Sequence, residues 1–357
     1  MKILFVYPEK RHYPFVQQKY SALQRVMHKH HQVTIDLLDG PSFGQLTADA
    51  IRLCSEADII IVHAAILISA YKSVQHWRAR DKTVIADLAE PIVYNEATHK
   101  YQIGVKVIPS LSGEEITPLM VDDNEFTWLL KLVEYGLTNS RLVVEDWKGI
   151  LEVKYLPDML ELDKYLSYPY ESHTGLIFGV NIANGGMPKL YQTGLQTALE
   201  KVLQRHKEVK VIVYGEHPHH AHLLKVDPER KYFIPSLEKA QWQSILPSID
   251  IGLLPRMGDI DDRLGSESVL EFMAMKIPWV GSESVSLFAQ RSYGWLVSNQ
   301  HSSWTKVLED LIEHIDNYRR DTDDSYLYAI GQGLDENFDR LISTCIQIHT
   351  QIWDGVK

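Results

Sequence analysis

Cysteine is almost absent from this chain of 357 residues. Its two cysteines, Cys54 and Cys345, are far apart in the sequence, and both lie in segments with helical character. Small secreted domains that depend on disulfides use many more cysteines at short spacings, so that class of protein is excluded. We therefore expect two buried thiols and a protein of a reducing compartment, the cytoplasm.

Long apolar runs are also missing. No stretch reaches the roughly 18 apolar residues that a membrane-spanning helix needs. The amino-terminal segment MKILFVYPEKRHY is apolar only over KILFVY and then becomes charged. That run is shorter than the apolar core of about 7–15 residues in a signal peptide. We interpret it as a first strand, and we expect neither a signal peptide nor a transmembrane segment.

Positive charge is in deficit. The chain has 36 Lys and Arg against 47 Asp and Glu, which gives a net charge of −11. Phosphate backbones are bound by clustered Lys and Arg, so we expect no nucleic-acid partner. The chain also lacks a G-x-G-x-x-G loop, a Walker loop and a convincing Ser-His-Asp order, which are common signs of dinucleotide, ATP and serine-hydrolase sites.

A regular alternation of apolar runs and amphipathic segments is present instead. The apolar runs include KILFVYP, DIIIVHA, TVIADLAE, VKVIVYGE and DIGLLP. Such runs between helices indicate parallel strands that are covered on both faces. A polar stretch rich in Tyr and Pro, at 161–174, divides the alternation into two halves. The predicted fold class is α/β, with two tandem Rossmann-like domains at 1–165 and 172–335 and a ligand-binding cleft between them.

The second half carries motifs of a known family. SIDIGLLPRMGD is followed by SESVLEFMAMKIPWVGS, and GLIFGVNIANGG and VIVYGEHP precede them. Together they resemble the retaining GT-B glycosyltransferases of family 4, the group 1 glycosyl transferases. The resemblance covers most of the chain. It implies an acceptor-binding first domain, a donor-binding second domain, and a C-terminal helix at about 336–357 that crosses back to the first domain.

The resemblance also implies a reaction. Such enzymes transfer a hexose from a nucleotide diphosphate sugar to an acceptor hydroxyl, with retention at the anomeric carbon and without a dedicated metal ion. We expect a UDP- or GDP-sugar as the donor and no further cofactor. The acceptor stays open between a glycan, a lipid-linked sugar and a small molecule, and the oligomeric state is not indicated.

Glu271 is the most informative single residue, because it is a carboxylate in an otherwise apolar helix. The resemblance implies that it accepts hydrogen bonds from the donor ribose, and a carboxylate suits vicinal hydroxyls. The alternative is structural, since Ser268-x-x-Glu271 has the spacing of a capping box. The same turn supplies Glu267 and Ser268 as further donor contacts, and its free N–H groups would suit a diphosphate.

The chain departs from the family pattern at the phosphates. Arg263 stands where retaining members often carry a second Glu, so it is either a diphosphate contact or an exposed loop residue. Relatives carry an Arg and a Lys after the first strand of the second domain, and here the Arg is missing. The remaining candidates for the donor site are Arg256, Asn181, Asn184, Lys189, Gly215 and Glu216. In the first domain, Lys10 and Arg11 occupy the loop where relatives have glycines, and they are candidate phosphate or acceptor contacts.

Three polar residues follow strands of the first predicted sheet. His63 ends DIIIVHA, and Asp87 and Glu90 lie in VIADLAEP. At the carboxyl ends of parallel strands they would face the cleft. Glu90 or Asp87 could orient the acceptor hydroxyl or accept its proton, and the family often places a His near the sugar. The structural alternative is that they close a strand or cap a helix.

Two other functions compete with the transferase. One is a GT-B-shaped protein that binds a nucleotide sugar or a partner without turnover, which the atypical phosphate residues favour. The other is a sugar-nucleotide epimerase of the same shape. The histidines of GEHPHHAH are interpreted as loop residues and not as a metal site, because they lack the fixed spacing of zinc ligands.

Overall fold

The computed structural model describes most of the chain. The described residues are 1–8, 14–27, 33–104, 119–168, 173–183, 186–236, 238–283 and 294–354.

The first domain is built on a sheet of six parallel strands. In spatial order these are β2 (Thr34–Asp39), β1 (Lys2–Tyr7), β3 (Ile59–His63), β4 (Thr83–Asp87), β8 (Tyr135–Thr138) and β9 (Glu152–Tyr155). Every residue of β3 and β4 is buried, as the continuous apolar runs require for strands covered on both faces.

Helices cover both faces of this sheet. They are α1 (Pro14–Met27), α2 (Gly40–Gln45), α3 (Ala48–Glu56), α4 (Ala64–Ser69), α5 (Tyr71–Arg78), α6 (Asp123–Val133) and α7 (Arg141–Asp146). Side-chain caps determine where several of these helices begin. Thr47 accepts from the amide of Ala50 before α3, and Asp122 accepts from the amide of Asn124 before α6.

A small antiparallel sheet interrupts the alternation between β4 and β8. Its strands are β5 (Ile92–Asn95), β6 (Lys100–Ile103) and β7 (Leu119–Asp122). This sheet was not predicted from the sequence, because each strand has only four residues and at most one of them is buried.

The second domain repeats the plan of the first. Its six parallel strands, in spatial order, are β12 (Lys231–Ile234), β11 (Lys210–Tyr214), β10 (Ile177–Asn181), β13 (Ile251–Leu254), β14 (Trp279–Ser282) and β15 (Trp295–Val297). The connection between the domains contains α8 (Asp163–Leu166). The other helices are α9 (Gly186–Gln192), α10 (Leu195–Arg205), α11 (Lys239–Ile245), α12 (Gly258–Asp262), α13 (Glu267–Ala274), α14 (His301–Arg320) and α15 (Asp323–Ile330), with short 3-10 turns at Pro218–Leu223, Pro228–Arg230 and Leu246–Ser248.

The last helix, α16 (Leu334–Asp354), crosses back to the first domain. Its Phe338, Cys345 and Ile348 are buried in the same apolar cluster as Ile3 and Phe5 of β1. The predicted fold class, two Rossmann-like domains with a returning C-terminal helix, is therefore confirmed. The residue limits assigned to the domains stay a prediction.

Two contacts join the domains on the segment that leads into α13. Arg263 donates to Asp146, from Nε at 2.6 Å and from Nη2 at 2.9 Å. Asp158, which follows β9, accepts hydrogen bonds from both the amide and the hydroxyl of Ser266. These contacts fix the start of α13 relative to the first domain.

No helix among the described residues combines the length and the apolar character that crossing a bilayer requires. Cys54 and Cys345 are both buried and free. Burial raises the pKa of each thiol to about 12.

Candidate active site

A cavity of about 300 Å³ lies where the carboxyl ends of the two sheets face each other. Five strands contribute their last residue to its lining: His63 from β3, Asp87 from β4, Thr138 from β8, Asn181 from β10 and Tyr214 from β11. The chain leaves each of these strands at the same edge of its sheet, so the polar residues that end them collect in one place.

Asp87 is a buried carboxylate on the wall formed by the first domain, with three partners. Tyr20 of α1 donates its hydroxyl to Asp87, the amide of Ala89 donates at 3.1 Å, and the ammonium of Lys19 lies 3.7 Å away. Burial favours the neutral acid, but Lys19 and these hydrogen bonds outweigh it and lower the pKa of Asp87. Asp87 is therefore ionised at neutral pH.

Glu90 lies beside Asp87 in a different electrostatic environment. Burial is the main reason that the pKa of Glu90 rises from 4.5 to about 7, and the negative charge of Asp87 acts in the same direction. Among the described residues, none donates a hydrogen bond to its carboxylate. Two neighbouring carboxyl groups with separated pKa values are typical of acid–base sites.

His63 is fully buried between these residues and α4. Its Nδ1 accepts from the amide of Ala65 at 3.3 Å, so it caps α4 as the structural alternative proposed. Burial lowers the pKa of His63 from 6.5 to about 4, and the imidazole is neutral at pH 7.

Arg256 is the buried cation of the wall formed by the second domain. Its guanidinium donates to two backbone carbonyls, those of Gly265 at 2.8 Å and Asp261 at 3.4 Å. No carboxylate in the described part of the chain forms an ion pair with it, and burial lowers the pKa of Arg256. Asp261, Asp158 and Asp262 favour its charge from a distance, but none of them occupies the guanidinium directly. A buried guanidinium that lines a cavity in this way is suited to an anionic ligand.

The N-terminus of α13 lies in the same wall. Glu267 and Ser268 line the cavity, and no acceptor among the described residues takes a hydrogen bond from their amides. Two amides at this helix N-terminus, those of Glu267 and Ser268, are therefore available to a ligand. The amide of Ser266 is not available, because it already donates to Asp158.

Glu271 is buried, and the protein itself satisfies both of its oxygens. Tyr165 of α8 donates to Oε1 at 2.8 Å, Trp242 donates to Oε2 at 3.2 Å, and the Lys239 ammonium lies 3.4 Å from Oε1. The capping-box alternative is wrong, because α13 begins at Glu267 after the N-cap residue Ser266. Glu271 is thus in the second turn and does not reach back to Ser268.

Sequence comparisons with known proteins find no relative. No protein-family model matches the chain, and no curated protein matches it in sequence.

Solved structures do match, over nearly the whole chain. Sucrose-phosphate synthase from Thermosynechococcus elongatus has 9% identity and a TM-score of 0.65, with 99% of this chain and 100% of that one covered. HepE from Anabaena, in complex with UDP and glucose, has 12% identity and a TM-score of 0.61, with 97% and 99% covered. UDP-GlcNAc 2-epimerase from Neisseria meningitidis, bound to UDP-GlcNAc, has 10% identity and a TM-score of 0.57, with 97% and 100% covered.

The chain has the GT-B fold. The predicted resemblance to GT-B enzymes is confirmed at the level of the fold, while retention stays a prediction. Because these neighbours include both a synthase and an epimerase at such low identity, the likeness identifies the fold and not the reaction.

The GT-B cleft brings together most of the residues predicted for the site. Eight of them line the cavity: His63, Asp87, Glu90, Asn181, Arg256, Glu267, Ser268 and Glu271. Three others, Lys10, Arg11 and Asn184, lie outside the described residues.

Two predicted cations of the donor site lie outside the lining of the cavity. Lys189 is buried and paired with Asp261 at 2.7 Å, and it does not line the cavity. Arg263 does not line it either, because its guanidinium is held by Asp146 of the first domain. Both cations have carboxylate partners within the protein, and a role for either of them at a diphosphate stays a prediction.

Gly215 and Glu216, also predicted as donor contacts, have structural roles. Gly215 has φ +110°, and a Cβ there would lie 2.2 Å from the amide nitrogen of Ala183. Glu216 accepts from the amide of Met187 at 2.8 Å at the start of α9, and His220 Nδ1 lies 2.7 Å from its other oxygen. Neither residue lines the cavity. Among the described residues, no cluster of three or more His, Cys, Asp or Glu could hold a metal ion.

Several polar lining residues were not predicted as parts of the site, among them Lys19, Tyr20, Asp158 and Lys239. Tyr165, which donates to Glu271 from behind the lining, was not predicted either. Tyr20 lies within α1, and Tyr165 lies within the polar stretch at 161–174 that divides the two halves of the sequence. Asp158 follows β9 near the end of the first predicted domain, and this position is the one sequence signal that points to it. The others reach the site through contacts distant in sequence, which no local pattern reports.

Acidic side chains outnumber basic ones around the cavity. The basic residues are Lys19, Lys164, Lys239 and Arg256, and the acidic ones are Asp87, Glu90, Asp158, Glu161, Glu267 and Glu271. Carboxylates accept hydrogen bonds and do not donate them when ionised, so this lining suits a ligand rich in hydroxyl groups. The described cationic charge is concentrated at few points, of which Arg256 is the buried one that forms no direct ion pair with a described carboxylate.

Proposed function

We propose that this protein is a GT-B glycosyltransferase that transfers a hexose from a nucleotide diphosphate sugar to an acceptor hydroxyl. The observation that carries the proposal is the arrangement of the two walls of one cavity. Arg256 and two open amides of α13 lie on one wall, and Asp87 and Glu90 lie on the other. An anion-binding wall opposite an acid–base wall suits a reaction in which a diphosphate leaves and a hydroxyl attacks.

The wall of the second domain supports the diphosphate. As the bond to the sugar breaks, negative charge develops on the departing diphosphate, and fixed cations and amides stabilise it. Arg256 supplies the cation, and the amides of Glu267 and Ser268 supply aligned donors at a helix N-terminus. In this proposal these groups provide the charge stabilisation, so the reaction uses no separate metal ion or cofactor.

The wall of the first domain supports the acceptor. A carboxyl group with a pKa of about 7, as at Glu90, is half ionised near neutral pH and can take the proton of an attacking hydroxyl. Asp87 stays ionised beside it and favours positive charge that develops on the sugar. We assign Glu90 the role of general base and Asp87 that of electrostatic stabiliser, and His63 orients polar groups around them. Retention at the anomeric carbon is part of the proposal and follows from the family resemblance.

A specific observation favours a second candidate, a sugar-nucleotide epimerase. The meningococcal epimerase, whose structure contains UDP-GlcNAc, has the same fold over its whole length. Asp87 and Glu90 have separated pKa values on one wall, which would also serve removal and return of a proton on a bound sugar.

The expected ligands follow from the same site. UDP- or GDP-sugars are the proposed donors, and UDP is present in the HepE structure. The acceptor is a glycan, a lipid-linked sugar or a small molecule. The net charge of −11 supports neither a nucleic-acid partner nor a basic membrane-binding surface. A cytoplasmic location is proposed on the basis of the two buried free thiols.

The decisive experiment separates the two reactions. The purified chain is incubated with UDP- and GDP-hexoses, with and without a panel of acceptors, while released nucleoside diphosphate is quantified and the sugar is followed by NMR. The transferase predicts release that increases with an acceptor and an unchanged sugar without one. Interconversion of the sugar nucleotide without an acceptor supports the epimerase, and the absence of both reactions contradicts the enzyme. Glu90→Gln is the matched variant, since it keeps the shape of the side chain and removes the proposed base.

A further inference from the structure

Helix α13 presents two carboxylates one turn apart, Glu267 and Glu271, but they differ in what they can still bind. Glu271 is 2% exposed, and its two oxygens already accept from Tyr165 and Trp242. The side chain of Glu267 is 53% exposed and lines the cavity. A ligand hydroxyl can therefore reach Glu267 without displacing any protein partner.

We propose that Glu267, and not Glu271, is the carboxylate through which α13 binds the sugar part of the ligand, by accepting hydrogen bonds from a vicinal pair of hydroxyls. The inference rests on the proposed function, because it assumes a nucleotide sugar in the cavity. It assigns to Glu267 the contact that the family resemblance implies for Glu271, and it makes Glu271 a supporting residue.

Lys239, the first residue of α11, prepares Glu267 for this role. Its ammonium donates to Oε1 of Glu267 and lies 3.4 Å from Oε1 of Glu271. Among the described residues, none donates to Oε2 of Glu267, which leaves that oxygen as an acceptor. Partial desolvation at the cavity wall opposes the charge of the half-exposed Glu267, but the Lys239 ammonium outweighs this effect and lowers the pKa of the carboxyl. Glu267 is thus an oriented, ionised acceptor, and an ionised acceptor forms the stronger hydrogen bonds.

Glu271 has the opposite character. Burial raises the pKa of Glu271 against the effect of Lys239. Tyr165, which donates to Glu271, also accepts from Gln243 at 2.8 Å, so the carboxylate belongs to a buried network between α8, α11 and α13. Opening that network to a ligand would leave buried polar groups without partners, which is costly.

The position of Glu267 limits the source of the hydroxyls. The amide of Glu267 is one of the two that we propose bind the diphosphate. The carboxylate of the same residue would then lie next to the groups that are bonded to the two ends of the diphosphate. These are the ribose and the transferred hexose, and both carry vicinal hydroxyls. The shared chemistry is a pair of neighbouring hydroxyls on a nucleotide sugar, and the experiment distinguishes the two sources.

The test measures discrimination between ligands that differ by one hydroxyl. Isothermal titration calorimetry compares UDP and GDP with their 2′-deoxy forms, for the ribose, and UDP-glucose with UDP-2-deoxyglucose, for the hexose. The proteins are the wild type, Glu267→Gln, Glu271→Gln and the control Glu238→Gln, which changes an exposed carboxylate next to Lys239. A charge-assisted hydrogen bond corresponds to roughly 10- to 100-fold in affinity.

We expect the wild type to prefer the hydroxylated ligand at least about tenfold in one of the two comparisons. Glu267→Gln loses most of that preference, while Glu271→Gln and Glu238→Gln keep it. Glu267→Asp, which keeps the charge on a shorter side chain, serves as a second variant, and we expect it to lose part of the preference. Circular dichroism confirms that each protein is folded.

Three results overturn the inference. They are a preference that persists in Glu267→Gln, a preference that is lost only in Glu271→Gln, and no preference in a wild type that binds nucleotides. A wild type that binds none of these ligands contradicts the proposed function itself, so the two failures are distinguishable.

Discussion

Glu90 gives the sharpest test of the electrostatics of the cleft, because a carboxyl group held at a raised pKa should weaken the folded state at neutral pH. Burial beside Asp87 raises the pKa of Glu90 from 4.5 to about 7. In the folded state the group therefore keeps its proton to a higher pH than it does in the unfolded chain. Between pH 4.5 and 7 the folded state binds more protons than the unfolded one, so the free energy of unfolding falls as the pH rises.

The size of the effect follows from the shift. One pKa unit corresponds to about 1.4 kcal/mol, so the full difference is on the order of 3 kcal/mol. Because Glu90 is only partly buried, solvent screening reduces this, and we expect about 1–3 kcal/mol. Glu90→Gln removes the titrating group and should stabilise the protein above pH 7 but change little near pH 4.5. For a domain of this size, each kcal/mol changes the melting temperature by roughly 2–4 °C.

The assay is thermal unfolding of the wild type and Glu90→Gln at several pH values between 4.5 and 8. We expect the melting temperature of the variant to exceed that of the wild type increasingly toward pH 8. Glu96→Gln is the matched control, since Glu96 is exposed on the small antiparallel sheet region. A difference between variant and wild type that does not depend on pH would refute the assignment of a raised pKa.

Three further predictions concern the donor wall, the domain contact and a glycine. Arg256→Gln should weaken the binding of UDP or GDP by roughly 10- to 100-fold and leave that of the free nucleoside unchanged, as measured by calorimetry; an equal loss for the nucleoside would contradict a phosphate contact. Asp146→Arg and Arg263→Asp each break the ion pair between the domains, so each should increase the radius of gyration measured by small-angle X-ray scattering without ligand. The double variant, which exchanges the two charges, should restore the radius of gyration of the wild type. A double variant as expanded as the single ones would contradict a role of this ion pair in holding the domains together. Gly215→Ala should destabilise the second domain by at least about 1–3 kcal/mol, because φ is +110° and the backbone of Ala183 fills the space, and an unchanged melting curve would contradict this.

The sequence predicted the fold well where apolar runs are continuous. Strands such as β3 (IIIVH) and β4 (TVIAD) are buried along their whole length, so their composition alone identifies them as central parallel strands. The small sheet β5–β7 escaped prediction, since its short strands are half exposed and resemble loop sequence. These strands form only by pairing with one another, and the sequence of a single segment does not show that pairing.

The candidate site was predictable only in part, for a related reason. Residues that end strands, such as Asp87 and Asn181, are placed by topology and were found. The partners that decide their chemistry were not, because Tyr165 and Lys239 come from other elements. The motif that contains Glu271 predicted a donor contact on α13, and this helix does line the cavity. The contact with Tyr165 satisfies Glu271, whereas the side chain of Glu267 is exposed.

Thermal unfolding of the wild-type chain with nucleotides tests the central claim most directly, namely that the cleft between the two domains binds a nucleoside diphosphate. At a ligand concentration of about 100 times Kd, binding to the folded state adds about 2.7 kcal/mol of stability. We predict that UDP or GDP raises the melting temperature by several degrees and that uridine and guanosine at the same concentration raise it much less. A melting temperature that neither diphosphate changes, or that the nucleosides raise equally, would contradict the account.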